Sequence, residues 1–343
     1  MPPMGNRVCN IPVRFRRALL LPALCGLLAA VIGLAGLAEP AASAATGGVT
    51  TPGARPAPGG KKVPPIPGSS AGGPFYVAIG ASESLGIQPR RGHRSDEGDE
   101  DQGKYAHTGG PTKVGYANDI THAERTRWSD LRLVQFGCSG TTLLAAFEGG
   151  SACHYPTGSQ IATVVQFLQA HPGETVLLTV DFGYNDIWPC LTDRAVNQQC
   201  VNGVMTTLRR ALPPTLADLQ AAGGSTAVVV GLKHNDPSLA DWLNPGRGRR
   251  FANQSAAVFR RLNRTLGQIY EAAGTEVADV PPYWAVGSHR HVHLAGHGVV
   301  PADVAAVCQA SWACSVGNIH PNVKGYRKIA AAVLATPGAT AEE

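Results

Sequence analysis

The chain has 343 residues, 44% of them hydrophobic and 15% charged, which suits one large domain or two small ones. Its formal charge of +5 is unevenly spread: residues 1–44 carry net +3, residues 45–73 another +3, and the remainder −1. The near-neutral remainder argues against a basic nucleic-acid surface, and no nucleic-acid partner is expected.

The N-terminus reads as an export signal. Arg14, Arg16 and Arg17 precede an uncharged apolar run over 18–38, and Ala42-Ser43-Ala44 offers a small-residue cleavage site. An uncleaved N-terminal anchor is the alternative, because about 20 apolar residues can span a bilayer. Residues 45–73 are rich in Pro, Gly, Ser and Ala and have little to bury, so they read as a linker. A folded domain is expected over 74–336 and a flexible tail over 337–343. The expected location is extracytoplasmic, secreted or associated with the cell envelope. The basic linker leaves room for envelope contact.

Cys9 and Cys25 would leave with the signal. Cys138, Cys153, Cys190, Cys200, Cys308 and Cys314 remain, an even number that suggests disulfides in an exported chain. Pairing sequence neighbours gives 138–153, 190–200 and 308–314. No C-x-x-C spacing supports zinc.

Along the domain, apolar β-rich runs over 75–79, 131–136, 175–180, 227–232 and 275–280 predict strands. Helical periodicity covers 116–128, 159–170, 201–222, 251–273 and 321–334. Pro213 and Pro214 are expected to break or kink the third of these. Pro321 is expected in the first turn of the last. The polar, Gly-rich segment 88–110 reads as an exposed loop. Strands alternating with helices predict a parallel sheet covered on both faces, with ligands bound at the strand C-termini.

Ser82, Gly140 and Asn185 all fall on that edge, and His320 precedes the last helix. Acyl transfer needs a nucleophile, a base and oxyanion donors, and these four residue types can fill those roles. Each also has a plainer reading. Ser82 could be a helix N-cap, Gly140 a simple turn, Asn185-Asp186 a cap, and His320 a polar residue before a helix.

Taken in order, the blocks Gly80-Ala81-Ser82, Cys138-Ser139-Gly140-Thr141-Thr142, Gly183-Tyr184-Asn185-Asp186 and His320-Pro321-Asn322 resemble the SGNH, or GDSL, hydrolases. Tyr155-Pro156, Gly158-Ser159-Gln160 and Trp312-Ala313-Cys314 look closest to the secreted actinobacterial branch. The resemblance implies a three-layer α/β/α, flavodoxin-like sheet of about five parallel strands. It also implies a secreted esterase or lipase with Ser82 as nucleophile and His320 as base. The oxyanion hole would combine the Ser82 and Gly140 N–H groups with the Asn185 side chain. The substrate would be a small-molecule, lipid or acylated-sugar ester, with no metal and no cofactor.

Two positions depart from the family pattern: Ala81 replaces an aspartate, and Gly317 replaces the acid three residues before the histidine. A Ser–His dyad is therefore expected, its ring held by a backbone carbonyl near Gly317 or Asn318. Asp186 and Asp303 are less favoured alternatives. Those departures also motivate an inactive envelope-binding protein as a second reading. His289, His291, His293 and His297 motivate a third, a metal-binding exported protein.

Overall fold

The computed structural model describes residues 61–62, 73–89, 112–192 and 194–339. The expected signal, most of the linker and most of the polar segment 88–110 lie outside the described residues. Five parallel strands form the central sheet: β1 (Phe75–Gly80), β2 (Arg132–Gln135), β3 (Thr175–Asp181), β4 (Val228–Leu232) and β5 (Glu276–Ala278). Their spatial order is β2-β1-β3-β4-β5, the flavodoxin-like order. All five fall where the apolar runs predict them, to within two residues at either end.

Strand alternation builds the two cores. Phe75, Val77 and Ile79 face one side of the sheet, with Leu178 and Val180. They meet apolar residues of α2 (Leu143–Glu148), α3 (Gln160–Ala170), α4 (Gln198–Gly223) and α5 (Arg247–Ala272). Tyr76 and Ala78 face the other side with Leu177, Val230 and Leu232. There they pack against α1 (Tyr116–Glu124), α6 (Ala302–Ala310) and α7 (Val323–Leu334). The result is three layers, α/β/α.

Several local expectations are corrected. The break expected at Pro213 and Pro214 does not occur: helix α4 continues through both. The carbonyls that lose their i+4 donors belong to Arg209 and Arg210, both exposed, so water can take the place of the missing N–H groups. Pro321 stands before the N-cap of α7, not inside its first turn. Asn322 caps the helix, its Oδ1 accepting from Lys324 N–H at 2.9 Å and Gly325 N–H at 3.2 Å.

An antiparallel hairpin, β6 (His291–Leu294) and β7 (Gly298–Pro301), occupies the His-rich segment. Its inward residues Leu294 and Val300 are buried, and His291 and His293 point to solvent by the same alternation. Disulfides join Cys138 to Cys153, Cys190 to Cys200 and Cys308 to Cys314, the neighbour pairing. In the segment expected as a tail, Ala339 is buried and its N–H donates to the Thr336 carbonyl at 3.2 Å. No helix among the described residues is long and apolar enough to cross a membrane.

Candidate active site

At the end of β1 the chain must turn against β3. Gly80 has φ +138° and pairs with Asp181, and a Cβ there would sit 2.3 Å from the Asp181 carbonyl oxygen. Only glycine satisfies both the backbone angle and that approach. Two residues on, Ser82 occupies the N-cap position of a short 3₁₀ turn, Glu83–Leu85, yet its side chain caps nothing. The turn is fixed by other groups. Ser84 Oγ donates to Ala81 O at 2.7 Å, Gln135 Nε2 donates to Ser84 O at 2.6 Å, and Ile87 N–H donates to Ser82 O at 3.2 Å.

The second block lies alongside. Cys138 N–H donates to Gly80 O at 3.0 Å, carrying the β1–β2 ladder past the strand ends. Gly140 follows in an exposed turn with φ +80°. Buried Gln160 clamps this corner by donating to Gly80 O at 2.8 Å and Phe136 O at 2.5 Å, and Tyr155 OH donates to Phe136 O at 2.6 Å. These bonds give the Tyr155 and Gln160 motifs a structural role in positioning the site.

The third block is tied to the second. Asn185 Nδ2 donates to Thr141 O at 3.0 Å, which leaves its second amide hydrogen for another acceptor. The Asp186 carboxylate accepts from Leu143 N–H at 3.1 and 3.2 Å, at the start of α2. Burial pushes its carboxyl up to about 6, opposed by these backbone donors.

His320 is 2% exposed, not a solvent-facing residue before a helix. Asn318 Oδ1 accepts from His320 backbone N–H at 3.0 Å and lies 2.8 Å from His320 Nδ1. A backbone N–H can only donate, so the Asn318 atom is its oxygen. Nδ1 must then carry the ring proton, and Nε2 presents a lone pair. The orienting group is thus a side-chain amide oxygen, which corrects the expected backbone carbonyl. Neither acid alternative bonds the ring: Asp186 is held by Leu143, and Asp303 Oδ1 accepts from Val304 N–H at 2.8 Å.

Burial lowers the His320 pKa to about 4. Its Nε2 has no hydrogen-bond partner, so the bond to Ser82 is not made in this conformation; such bonds often tighten only once substrate binds. The two turns are nonetheless braced against each other. Gln88 Nε2 donates to Pro321 O at 2.8 Å, Trp312 Nε1 donates to Gln88 Oε1 at 2.9 Å, and Tyr326 OH donates to Ile87 O at 2.8 Å.

His289, His291, His293 and His297 are all exposed and form no metal-sized cluster. Among the described residues, the group that does converge is Glu83, Asp181 and His234, with one candidate ligand atom from each within 4.8 Å of the others. Burial raises the pKa of Asp181, and burial together with the Asp181 charge raises that of Glu83. Burial lowers that of His234 to about 4. The sequence reading missed this group. Asp181 closes an otherwise apolar strand, an acid in a buried register, and that was the available signal.

The sequence profile of the GDSL-like lipase/acylhydrolase family matches residues 101–328, more than half of the chain. The match begins after Ser82 and takes in Gly140, Asn185 and His320. No curated protein matches the chain. Among solved structures, the chain resembles an extracellular lipase from Streptomyces rimosus at 17% identity and TM-score 0.45, covering 74% of this chain and 95% of that one. It resembles phospholipase A1 from Streptomyces albidoflavus NA297 at 17% identity and TM-score 0.43, with coverage of 75% and 96%. An acetyl xylan esterase from Geobacillus stearothermophilus matches at 14% identity and TM-score 0.35, with coverage of 71% and 95%. The profile match over more than half of the chain settles the family: the chain belongs to the GDSL-like lipase/acylhydrolase family and is a hydrolase.

Proposed function

We propose that the protein is a secreted serine ester hydrolase acting through Ser82 and His320. The observation that carries this reading is the Asn318–His320 pair, which fixes the ring proton on Nδ1 and leaves a buried Nε2 with an unpartnered lone pair. In the proposed reaction His320 Nε2 takes the Ser82 hydroxyl proton as Oγ bonds the acyl carbon. The carbonyl electrons move to the oxygen, which the Ser82 and Gly140 N–H groups and the Asn185 amide stabilise. Collapse expels the alcohol, protonated by His320. A water, deprotonated by His320, then releases the acid and restores Ser82.

The substrate is proposed to be a small-molecule, lipid or acylated-sugar ester met outside the cytoplasm, consistent with the signal-like N-terminus. The test is labelling by a fluorophosphonate probe, comparing wild type with Ser82→Ala. Labelling confined to wild type supports the reading, and a well-folded wild type that does not label overturns it. A p-nitrophenyl ester chain-length series would then define the acyl preference.

A further inference from the structure

The Glu83–Asp181–His234 group lies at the strand ends beside the proposed nucleophile, and its hydrogen bonding is incomplete in an informative way. His234 Nε2 lies 2.9 Å from the Phe182 carbonyl oxygen. A carbonyl can only accept, so Nε2 carries the proton and Nδ1 presents a lone pair. That lone pair faces Asp181 Oδ1 at 3.7 Å. Asp181 is 3% exposed and His234 2% exposed, and Asp181 Oδ2 has no hydrogen-bond partner. Among the described residues no lysine or arginine pairs with Glu83 or Asp181; Lys233, next in sequence to His234, is held by Asp279. Three electron-rich atoms, two on buried residues and one on half-buried Glu83, therefore converge with no positive partner among the described residues.

The histidine is also rigidly held. Its N–H donates to Asn263 Oδ1 at 2.8 Å, and its carbonyl accepts from Asn263 Nδ2 at 2.7 Å. A histidine whose second ring nitrogen donates to a backbone carbonyl is the usual arrangement of a metal ligand. Two donors 3.7 Å apart would both lie about 2.1 Å from a shared ion at an angle near 120°, within reach of zinc geometry.

We propose that Glu83, Asp181 and His234 bind one divalent cation of the zinc type, the imidazole favouring zinc over magnesium. The ion neutralises the two carboxylates and ties the Ser82–Glu83 turn to the ends of β3 and β4. The proposal does not depend on the ester-hydrolase reading, because its readouts are metal content, binding and melting temperature.

The experiment uses the full chain carrying His291→Ala and His293→Ala, so that exposed histidines do not take zinc of their own. After chelation, ZnCl2 and MgCl2 are titrated separately by calorimetry, and Tm is followed with and without each. One equivalent of zinc should bind and raise Tm. Asp181→Asn, nearly identical in shape, should weaken zinc binding by more than about 100-fold, beyond the loss expected from a supporting hydrogen bond alone. Its unliganded melt verifies that it folds, and Glu83→Gln serves as the second variant should it not. Absence of stoichiometric zinc binding, or equal binding by Asp181→Asn and Glu83→Gln, would overturn the proposal and leave a shared proton as the occupant.

Discussion

Replacing Asn318 by alanine removes one oxygen that holds two donors of His320, its backbone N–H at 3.0 Å and its ring Nδ1–H at 2.8 Å. Both donors belong to a residue 2% exposed, so water does not readily take the oxygen's place. Leaving a buried donor without a partner costs about 1–3 kcal/mol. That cost falls on stability, and urea unfolding should show a loss of about that size. Catalysis suffers separately, because the ring is free to place its proton on Nε2 or to rotate.

A transition-state loss of about 1.4–2.8 kcal/mol corresponds to a fall in kcat of about 10- to 100-fold. The assay is kcat and KM on a p-nitrophenyl ester, with KM expected to move little. Asn318→Asp keeps the acceptor and adds a negative charge. It should retain most of the activity and shift the acidic limb of the pH profile upward, since a carboxylate favours the imidazolium. An Asn318→Ala protein that is folded and keeps wild-type kcat would refute the orienting role.

Other outcomes follow from the same geometry. Asn185→Ala should lower kcat by about 100- to 1,000-fold, as expected for a lost oxyanion donor, with near wild-type kcat removing Asn185 from the mechanism. Gly80→Ala should leave little soluble protein, because its Cβ meets the Asp181 carbonyl oxygen at 2.3 Å on a φ of +138°; a normal melting temperature would contradict this. His320 titrates near 4 when folded, against an ordinary value of about 6.5, so kcat/KM should stay flat down to about pH 5 and then fall. The unfolded chain binds the extra proton between those two values, so stability at this group should decline as pH drops from about 6.5 to about 4. Removing the Cys138–Cys153 bridge, which spans a sequence separation of 15, should cost up to about 3 kcal/mol in thermal or urea unfolding and disturb the Gly140 turn.

The sheet was legible because its strands are buried on both faces. Such strands read as unbroken apolar, β-branched runs, as in Thr175-Val176-Leu177-Leu178-Thr179-Val180. The neighbouring cysteine pairs were legible for a similar reason, each pair closing a short local segment. The hairpin over His291–Leu294 and Gly298–Pro301 was not, since only alternate residues are buried and the outward positions of its first strand are histidines. The continuity of α4 through its two prolines was not legible, because their cost depends on which helix face carries the freed carbonyls, a tertiary property. The role of Asn318 escaped because sequence shows a missing acid but not which nearby oxygen takes its hydrogen bond. The convergence of Glu83, Asp181 and His234 required the strand order, which brings together residues far apart in the chain.

The bracing around Gln88 has a consequence for how such a protein can diversify. Gln88 is bonded to Pro321 and Trp312, and across the chain Thr112 N–H donates to Leu85 O at 2.9 Å while its Oγ1 donates to Gly86 O at 2.6 Å. The two flanks of the polar stretch, Gln88 and Thr112, are therefore both held at the base of the Ser82 turn. Insertions or exchanges between them need not be transmitted to the Ser82 turn. A lineage, or an engineer, could vary the sequence between those two flanks as a replaceable cassette while the Ser82 turn stayed in register.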